Sequence, residues 1–582
     1  MLLVIAEEVR RSNLMIFSKT DEEIASLHSQ LTKSLRLQGV LNRNQFNAFE
    51  NYIKKISMKN SRESLRTKQA NFKKSPGTEN CLDGQVGLLS TFCLKFLKSG
   101  FSLLRISILF LSSLLIHTQA GFAQTSKVFS AGAATSNITP TIGTSINGNM
   151  KDGLIKQIHD ETYARAIVLD DGKTKLAILT VDLCMIYKED LDAAKQKAQE
   201  ITGIPIQNIM MSATHTHSGG TACSVFQSDP DKDYLKFLRE RIADAVVRAN
   251  NNLVPARIGW AVGKEPNQVF NRRWKMKPGQ PLMNPFGTED QVKMNPGIGN
   301  PDRLEPSGPT DPELPIISVQ TTEGRPIALL ANYSLHYVGG TGPGEISADY
   351  YGMFAEQMKS LLESDNKSLP PFVAMLSNGT SGNINNINWF ANEAPPAMPP
   401  YAKMRQVANV IAAEAFKTYQ TIRYQDWISL SSAQTEINLG VRLPKMEEIE
   451  RAKGIIAKAN GPIMNTIEEI YARETMLIKD FPKQVPLIIQ AFRVGDLAIA
   501  ALPCEVFVEI GLDIKAKSPF KTTFTTSLAN GYNGYLPTPE HHKLGGYETW
   551  RARSSYLEVD ASTKISSVLF ELLGKLKNEQ AK

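Results

Sequence analysis

Met210-Met211-Ser212-Ala213-Thr214-His215-Thr216-His217-Ser218-Gly219-Gly220 fixes the architecture and marks a site. An apolar run ends in His-x-His and then two glycines, the pattern of a buried strand whose far end releases polar side chains into a cleft. Histidines two apart on an extended chain point to opposite faces. If His215 binds a metal, His217 therefore does not, unless the backbone turns between them. Standing alone, the pair also reads as two polar strand-end residues with no metal.

Working outward, similar apolar runs occupy 165–169, 175–181, 208–212, 316–319, 327–331 and 373–376. They alternate with helix-period patterns at 189–201, 233–250, 350–363, 403–418 and 562–576, which predicts an α/β fold of mixed, layered sheets with helices packed on them. Prolines crowd 274–314 and 393–400, so both segments read as long irregular loops at the rim of a cleft.

The chain has 582 residues, 42% hydrophobic and 21% charged, enough to bury a large core. Its net charge of +7 comes largely from the first hundred residues and does not make a nucleic-acid binder. Five cysteines without a C-x-x-C pair exclude a thiolate zinc site and a disulfide framework. Cys184, Cys223 and Cys504 are an odd set, so at least one is unpaired or linked to another chain.

Residues 95–123 show basic flanks, an apolar run over 101–116 and small residues at Ala120 and Ala123, the three-part layout of a signal peptide, or else a retained anchor. An exported protein is expected. Residues 1–94 are a poorly structured basic extension, either an upstream-start artefact or a cytoplasmic segment before an uncleaved anchor. Residues 124–582 form the main domain.

Two further positions offer metal-ligand chemistry. His336 closes Ala331-Asn332-Tyr333-Ser334-Leu335-His336-Tyr337, where a lone histidine is more often part of a satisfied core. A second strand-end histidine in a domain with so few makes a shared site the better reading. Glu505 in Leu502-Pro503-Cys504-Glu505 offers a carboxylate at a strand-to-helix junction, which helix-dipole complementarity explains equally well.

In this order the pieces resemble the neutral/alkaline non-lysosomal ceramidase family, zinc amidases that cleave the N-acyl bond of ceramide. The resemblance runs from Ala131 to about Ser562. It includes Ala134-Thr135-Ser136-Asn137-Ile138-Thr139-Pro140, Thr214-His215-Thr216-His217-Ser218-Gly219, Asn271-Arg272, Asn378-Gly379-Thr380-Ser381-Gly382-Asn383, Pro503-Cys504-Glu505 and the tyrosine-rich block 531–548. It implies a catalytic domain of that type, here without a C-terminal immunoglobulin-like domain, and zinc ligands at His215, His336, Glu505 and Tyr535. Cys504 departs from the family's glycine. Without the resemblance, Tyr532, Tyr535 and Tyr547 would read as packed aromatics.

The resemblance further implies that His217 donates to the oxyanion or the leaving amine, that Tyr547 is a second oxyanion donor, and that Arg272 holds polar atoms of the substrate or the product carboxylate as a bidentate fork. Ser381 matches an active-site serine in a segment one residue shorter than the family's. With no Ser-His-Asp layout, attack by a metal-activated water is the expected chemistry. The expected substrate is ceramide, cleaved to sphingosine and fatty acid, with a membrane surface reached through that lipid and no nucleic-acid partner. The alternatives are a zinc amidase or esterase for a soluble N-acyl compound, and an inactive binding protein that keeps the scaffold.

Overall fold

The computed structural model describes residues 127–362 and 370–580. The expected extension at 1–94 and signal or anchor at 95–123 lie outside them, and the description that follows concerns the unit Gln124–Lys582. Among the described residues no helix is long and apolar enough to cross a membrane.

An eight-stranded mixed sheet organises the domain. Its strands are β1 (Ser130–Asn137), β2 (Tyr163–Asp170), β3 (Lys175–Val181), β4 (Ile209–Ala213), β5 (Val254–Lys264), β6 (Glu313–Thr321), β7 (Pro326–Tyr333) and β8 (Val373–Asn378). Their order across the sheet is β8-β7-β6-β5-β1-β2-β3-β4. The pairs β3/β4 and β7/β8 are parallel; the other neighbours are antiparallel. At the β2/β3 hairpin the Asp171 carboxylate accepts the Lys173 and Thr174 N–H groups while Gly172 takes φ +86°. This Asp-Gly turn sets the register of two long apolar strands.

Both faces of the sheet are covered, so its strands read as continuous apolar runs rather than clean alternations. On one face Ala164, Ala166 and Val168 pack with α1 (Lys188–Thr202) and α2 (Lys232–Asn251). Towards the other edge the same layer is α3 (Asp349–Leu362) and α4 (Ala402–Tyr419). On the opposite face Ile167 and Leu169 meet a second sheet, β9 (Leu430–Gly440), β10 (Gln484–Val494), β11 (Leu497–Ala501) and β12 (Thr522–Thr526). Between β9 and β10 stand α5 (Met446–Ile456) and α6 (Ile467–Ile478). After β11 comes α7 (Val508–Lys517), and α8 (Ala561–Gln580) closes the outer face of the second sheet. The result is helices, sheet, sheet, helices, in four layers.

The proline-rich stretch 274–314 differs from expectation. It contains a three-stranded antiparallel sheet of Arg273–Met276, Val292–Met294 and Arg303–Pro306. Pro306 ends an outer strand opposite Trp274, and an edge strand tolerates the missing N–H. The stretch 393–400 has no regular element, as expected.

Candidate active site

The two edges of the main sheet are joined by the segment that leaves β12. Ser527 donates its N–H to Asn378 at the end of β8, and Ala213 at the end of β4 donates to Leu528. Strand ends far apart in sheet order are thereby brought to one place. His215 follows β4, His336 follows β7, Glu505 follows β11, and Tyr532 and Tyr535 follow β12. Glu505–Val506 pairs in parallel register with Tyr535–Leu536, which sets the carboxylate beside the phenol.

The backbone does turn within the His-x-His motif: His215 has φ +78°, a left-handed conformation rare outside glycine. The expectation that His217 points away is therefore overturned. His217 Nε2 lies 3.2 Å from His215 Nε2, and His215 Nε2 lies 3.0 Å from His336 Nε2. The His215 Nδ1–H donates to the Cys184 carbonyl at 2.8 Å, and the His336 Nδ1–H donates to the Ser381 carbonyl at 3.1 Å. Those bonds select the tautomer that leaves both Nε2 atoms as lone pairs. Glu505 Oε2 is 3.2 Å from His215 Nε2 and 3.8 Å from His336 Nε2. It is buried and has no hydrogen-bond donor, while Tyr532 holds the other oxygen at 3.1 Å. Three acceptors facing one another without a donor need a cation between them.

The donor atoms of His215, His336 and Glu505 all lie within 4.8 Å of one another. Cys184, His215 and His217 form a second group within the same limit. Its sulfur, however, sits 3.7 Å from Nδ1, behind the ring, and burial pushes the thiol pKa up. The first group is the better cation site. Burial, then neighbouring Arg272 and His215, hold His336 far below the ordinary imidazole range, and burial, His215 and Arg272 do so for His217. For His215 burial works against a positive charge but Cys184 and Glu505 outweigh it, raising the pKa well above that range. The cluster thus attracts one positive charge.

Tyr535 lies on the wall of a narrow pocket that also includes His215, His217, Glu505, Tyr547, Met185 and Phe226. There is free space for roughly one or two water-sized groups. Neither proline-rich loop lines this pocket, contrary to expectation; Pro285 and Phe286 of the first line a different hollow. Arg272 is buried: its Nε donates to Glu548 at 2.9 Å, and its Nη2 donates to the Gly382 carbonyl at 2.8 Å and to the Tyr535 hydroxyl at 3.1 Å. Only Nη1 is left for a substrate atom, so a two-pronged clamp on substrate does not fit. The Ser381 hydroxyl donates to Asn378 Oδ1 at 2.7 Å and does not reach the pocket; the contribution of this residue is its carbonyl behind His336.

Three contacts carried no sequence signal of their own. The Tyr337 ring stacks on His217 at 3.6 Å between centroids. Gly148, at φ +108°, presses on the other side, where an added Cβ would come within 2.6 Å of the imidazole. Glu548 bridges Arg272 and Arg273. His217 is held between walls in a position to move a proton. His217→Ala is expected to keep its metal and slow turnover by roughly 100-fold or more, the usual weight of a positioned acid or base. Metal content measured beside the rate checks this, and metal loss would make His217 a ligand instead.

Residues 129–390 match the sequence model described as neutral/alkaline non-lysosomal ceramidase, N-terminal. The chain is 25% identical over 265 residues to neutral ceramidase A of Dictyostelium discoideum, covering 42% of this chain and 33% of that one. It is 22% identical over 451 residues to the neutral ceramidase of Pseudomonas aeruginosa, covering 67% of this chain and 64% of that one. The chain therefore spans between 33% and 64% of the length of these relatives. In fold it is similar to the crystal structure of the Pseudomonas aeruginosa neutral ceramidase, with a TM-score of 0.58 and 19% identity over 78% of this chain and 75% of that one. A structure described as ceramidase complexed with C2 gives 0.59 at 18% identity over 78% and 76%.

Proposed function

Residues 129–390 belong to the neutral/alkaline non-lysosomal ceramidase family, and on that premise we propose that this protein is an exported zinc amidohydrolase that cleaves ceramide to sphingosine and a fatty acid. The observation that carries the metal-dependent part is the trio of buried acceptors, His215 Nε2, His336 Nε2 and Glu505 Oε2, with no donor among them. Two imidazoles and a carboxylate, with the phenol of Tyr535 as a fourth donor, suit Zn²⁺. Such an ion, when bound, polarises an amide carbonyl and lowers the pKa of a water to about 7.

The remaining roles fall to the chain's own groups. The Cys184 and Ser381 carbonyls hold the two imidazoles in the ligand tautomer, and Tyr532 turns the Glu505 carboxylate so that Oε2 faces them. Arg272 donates to the Tyr535 oxygen, and its charge opposes, without outweighing, the burial and the Glu505 carboxylate that push the phenol pKa up. His217, neutral at rest, can take the proton that the attacking water loses and hand it to the departing amine, and Tyr547, 5.8 Å from Tyr535 between ring centroids, can donate to the carbonyl oxygen as charge grows there.

The narrowness of the pocket favours one second reading, a soluble, small N-acyl substrate for the same centre. Full-length protein assayed on N-acyl sphingosines and on soluble N-acyl compounds, with zinc quantified in the same sample, separates the two. Cleavage of the lipid that is lost on chelation and restored by Zn²⁺ is the expected result. Turnover of soluble compounds alone would select the second reading, and zinc-free, inactive protein would defeat both.

A further inference from the structure

A chain of rings leads from the metal-site tyrosine into the helical insert. Centroid separations are 5.8 Å for Tyr535 and Tyr547, 5.9 Å for Tyr547 and Trp550, and 5.4 Å for Trp550 and Tyr471. Tyr471, on α6, then meets Phe226 at 6.0 Å and Phe286 at 5.9 Å. Phe226 lines the pocket that holds His215 and Glu505. On its far side Tyr471 and Phe286, with Ala452 and Ala472, line a second small hollow under α5 and α6. The charged groups at that hollow's rim are paired, Glu448 with Arg551 and Arg451 with Glu468. The Phe226–Tyr471 contact is thus a partition between two hollows.

The partition is held firmly. Phe226 has φ +52°, a left-handed conformation that is unfavourable for a non-glycine residue. Its carbonyl accepts from both Arg473 and Arg553, whose guanidinium groups pair with the buried carboxylate of Glu474. Next to it the Gln227 side chain donates to the Met464 carbonyl at 3.0 Å and accepts from the Met464 N–H at 2.9 Å, tying the loop to the insert.

Resting on the amide-hydrolysis reading above, we infer that Phe226, backed by Tyr471, is the end wall that sets how long an N-acyl chain the pocket accepts. The free space beside the cluster is that of roughly one or two water-sized groups. A longer acyl chain that continues inward meets the Phe226 ring, with Tyr471 behind it. Shortening this side chain deepens the pocket as far as the Tyr471 ring, whose other side lines the second hollow. Accommodating one further methylene there changes kcat/KM by about tenfold.

The test is kcat/KM for the full chain with zinc, in wild type, Phe226→Leu and Phe226→Ala, on acetyl, octanoyl and palmitoyl sphingosine in detergent. The palmitoyl-to-acetyl ratio is expected to rise from wild type to Leu to Ala, by roughly tenfold at the last step. A purely structural role would lower all three substrates together, so an unchanged ratio in either folded variant would overturn the inference. Should Phe226→Ala not fold, the Leu variant alone decides it. A wild-type enzyme that cleaves none of the three fails at the earlier step, and the amide reading and the inference fall together.

Discussion

His336→Ala should be isolated without metal and with activity at background, and His215→Ala should match it. Each substitution removes one of the two nitrogen lone pairs that face Glu505. Disturbing a residue that merely orients a ligand already costs about 10–100-fold in metal affinity or activity, so removing the ligand should cost more. Stability supplies an independent readout. A metal that binds only the folded chain stabilises it by about 2.7 kcal/mol at 100 times its dissociation constant. Chelator should therefore lower the melting temperature of wild type and leave that of His336→Ala unmoved. A variant that kept stoichiometric zinc and near-normal rates would remove both histidines from the centre.

The sequence located these two histidines but not the way they meet. Runs such as 165–169 and 175–181 announce buried strands because apolar residues fill them on both faces, and the strands β2 and β3 match them to within a few residues. The His-x-His stretch likewise announces a strand end. Period-two geometry then points His217 away from His215, and it fails because the chain is left-handed at His215, a local choice imposed by the Leu183 carbonyl accepting the His215 N–H. No residue in the motif signals that turn. The prolines of 274–314 told of broken helices but could not say that short strands survive between them. Tyr337, Gly148 and Glu548 were invisible for a different reason: each acts through a neighbour distant in sequence, and contacts such as Glu548 with Arg272 are set by the tertiary fold alone.

The other large effect is expected at that last contact. Arg272 and Arg273 are adjacent and both buried, Arg273 to 0% exposure, and Glu548, also at 0%, accepts from Arg272 Nε at 2.9 Å and Arg273 Nη1 at 2.6 Å. Glu548→Gln keeps the shape and removes the charge, leaving two guanidinium groups in the interior with carbonyls, a phenol and the more distant Glu505 carboxylate to face. Losing one partner of such a buried set costs about 3–5 kcal/mol, because the remaining charge is neither paired nor hydrated. A clear drop in the urea midpoint is therefore expected. Metal affinity should fall too, since Arg272 would no longer be steered onto the Tyr535 oxygen. The pH dependence has a definite sign. Burial raises the pKa of Glu548, but Arg273 and Arg272 outweigh it and hold the carboxyl below the ordinary range. A depressed folded pKa gives stabilisation that is complete above the unfolded value, about 4.3, and is lost as pH falls through the folded one. Wild type should therefore show an acid-side loss of stability, and Glu548→Gln should show less of it. Equal acid slopes and equal midpoints in the two proteins would mean that the two arginines find their compensation elsewhere, and the Arg272–Tyr535 contact would then owe nothing to Glu548.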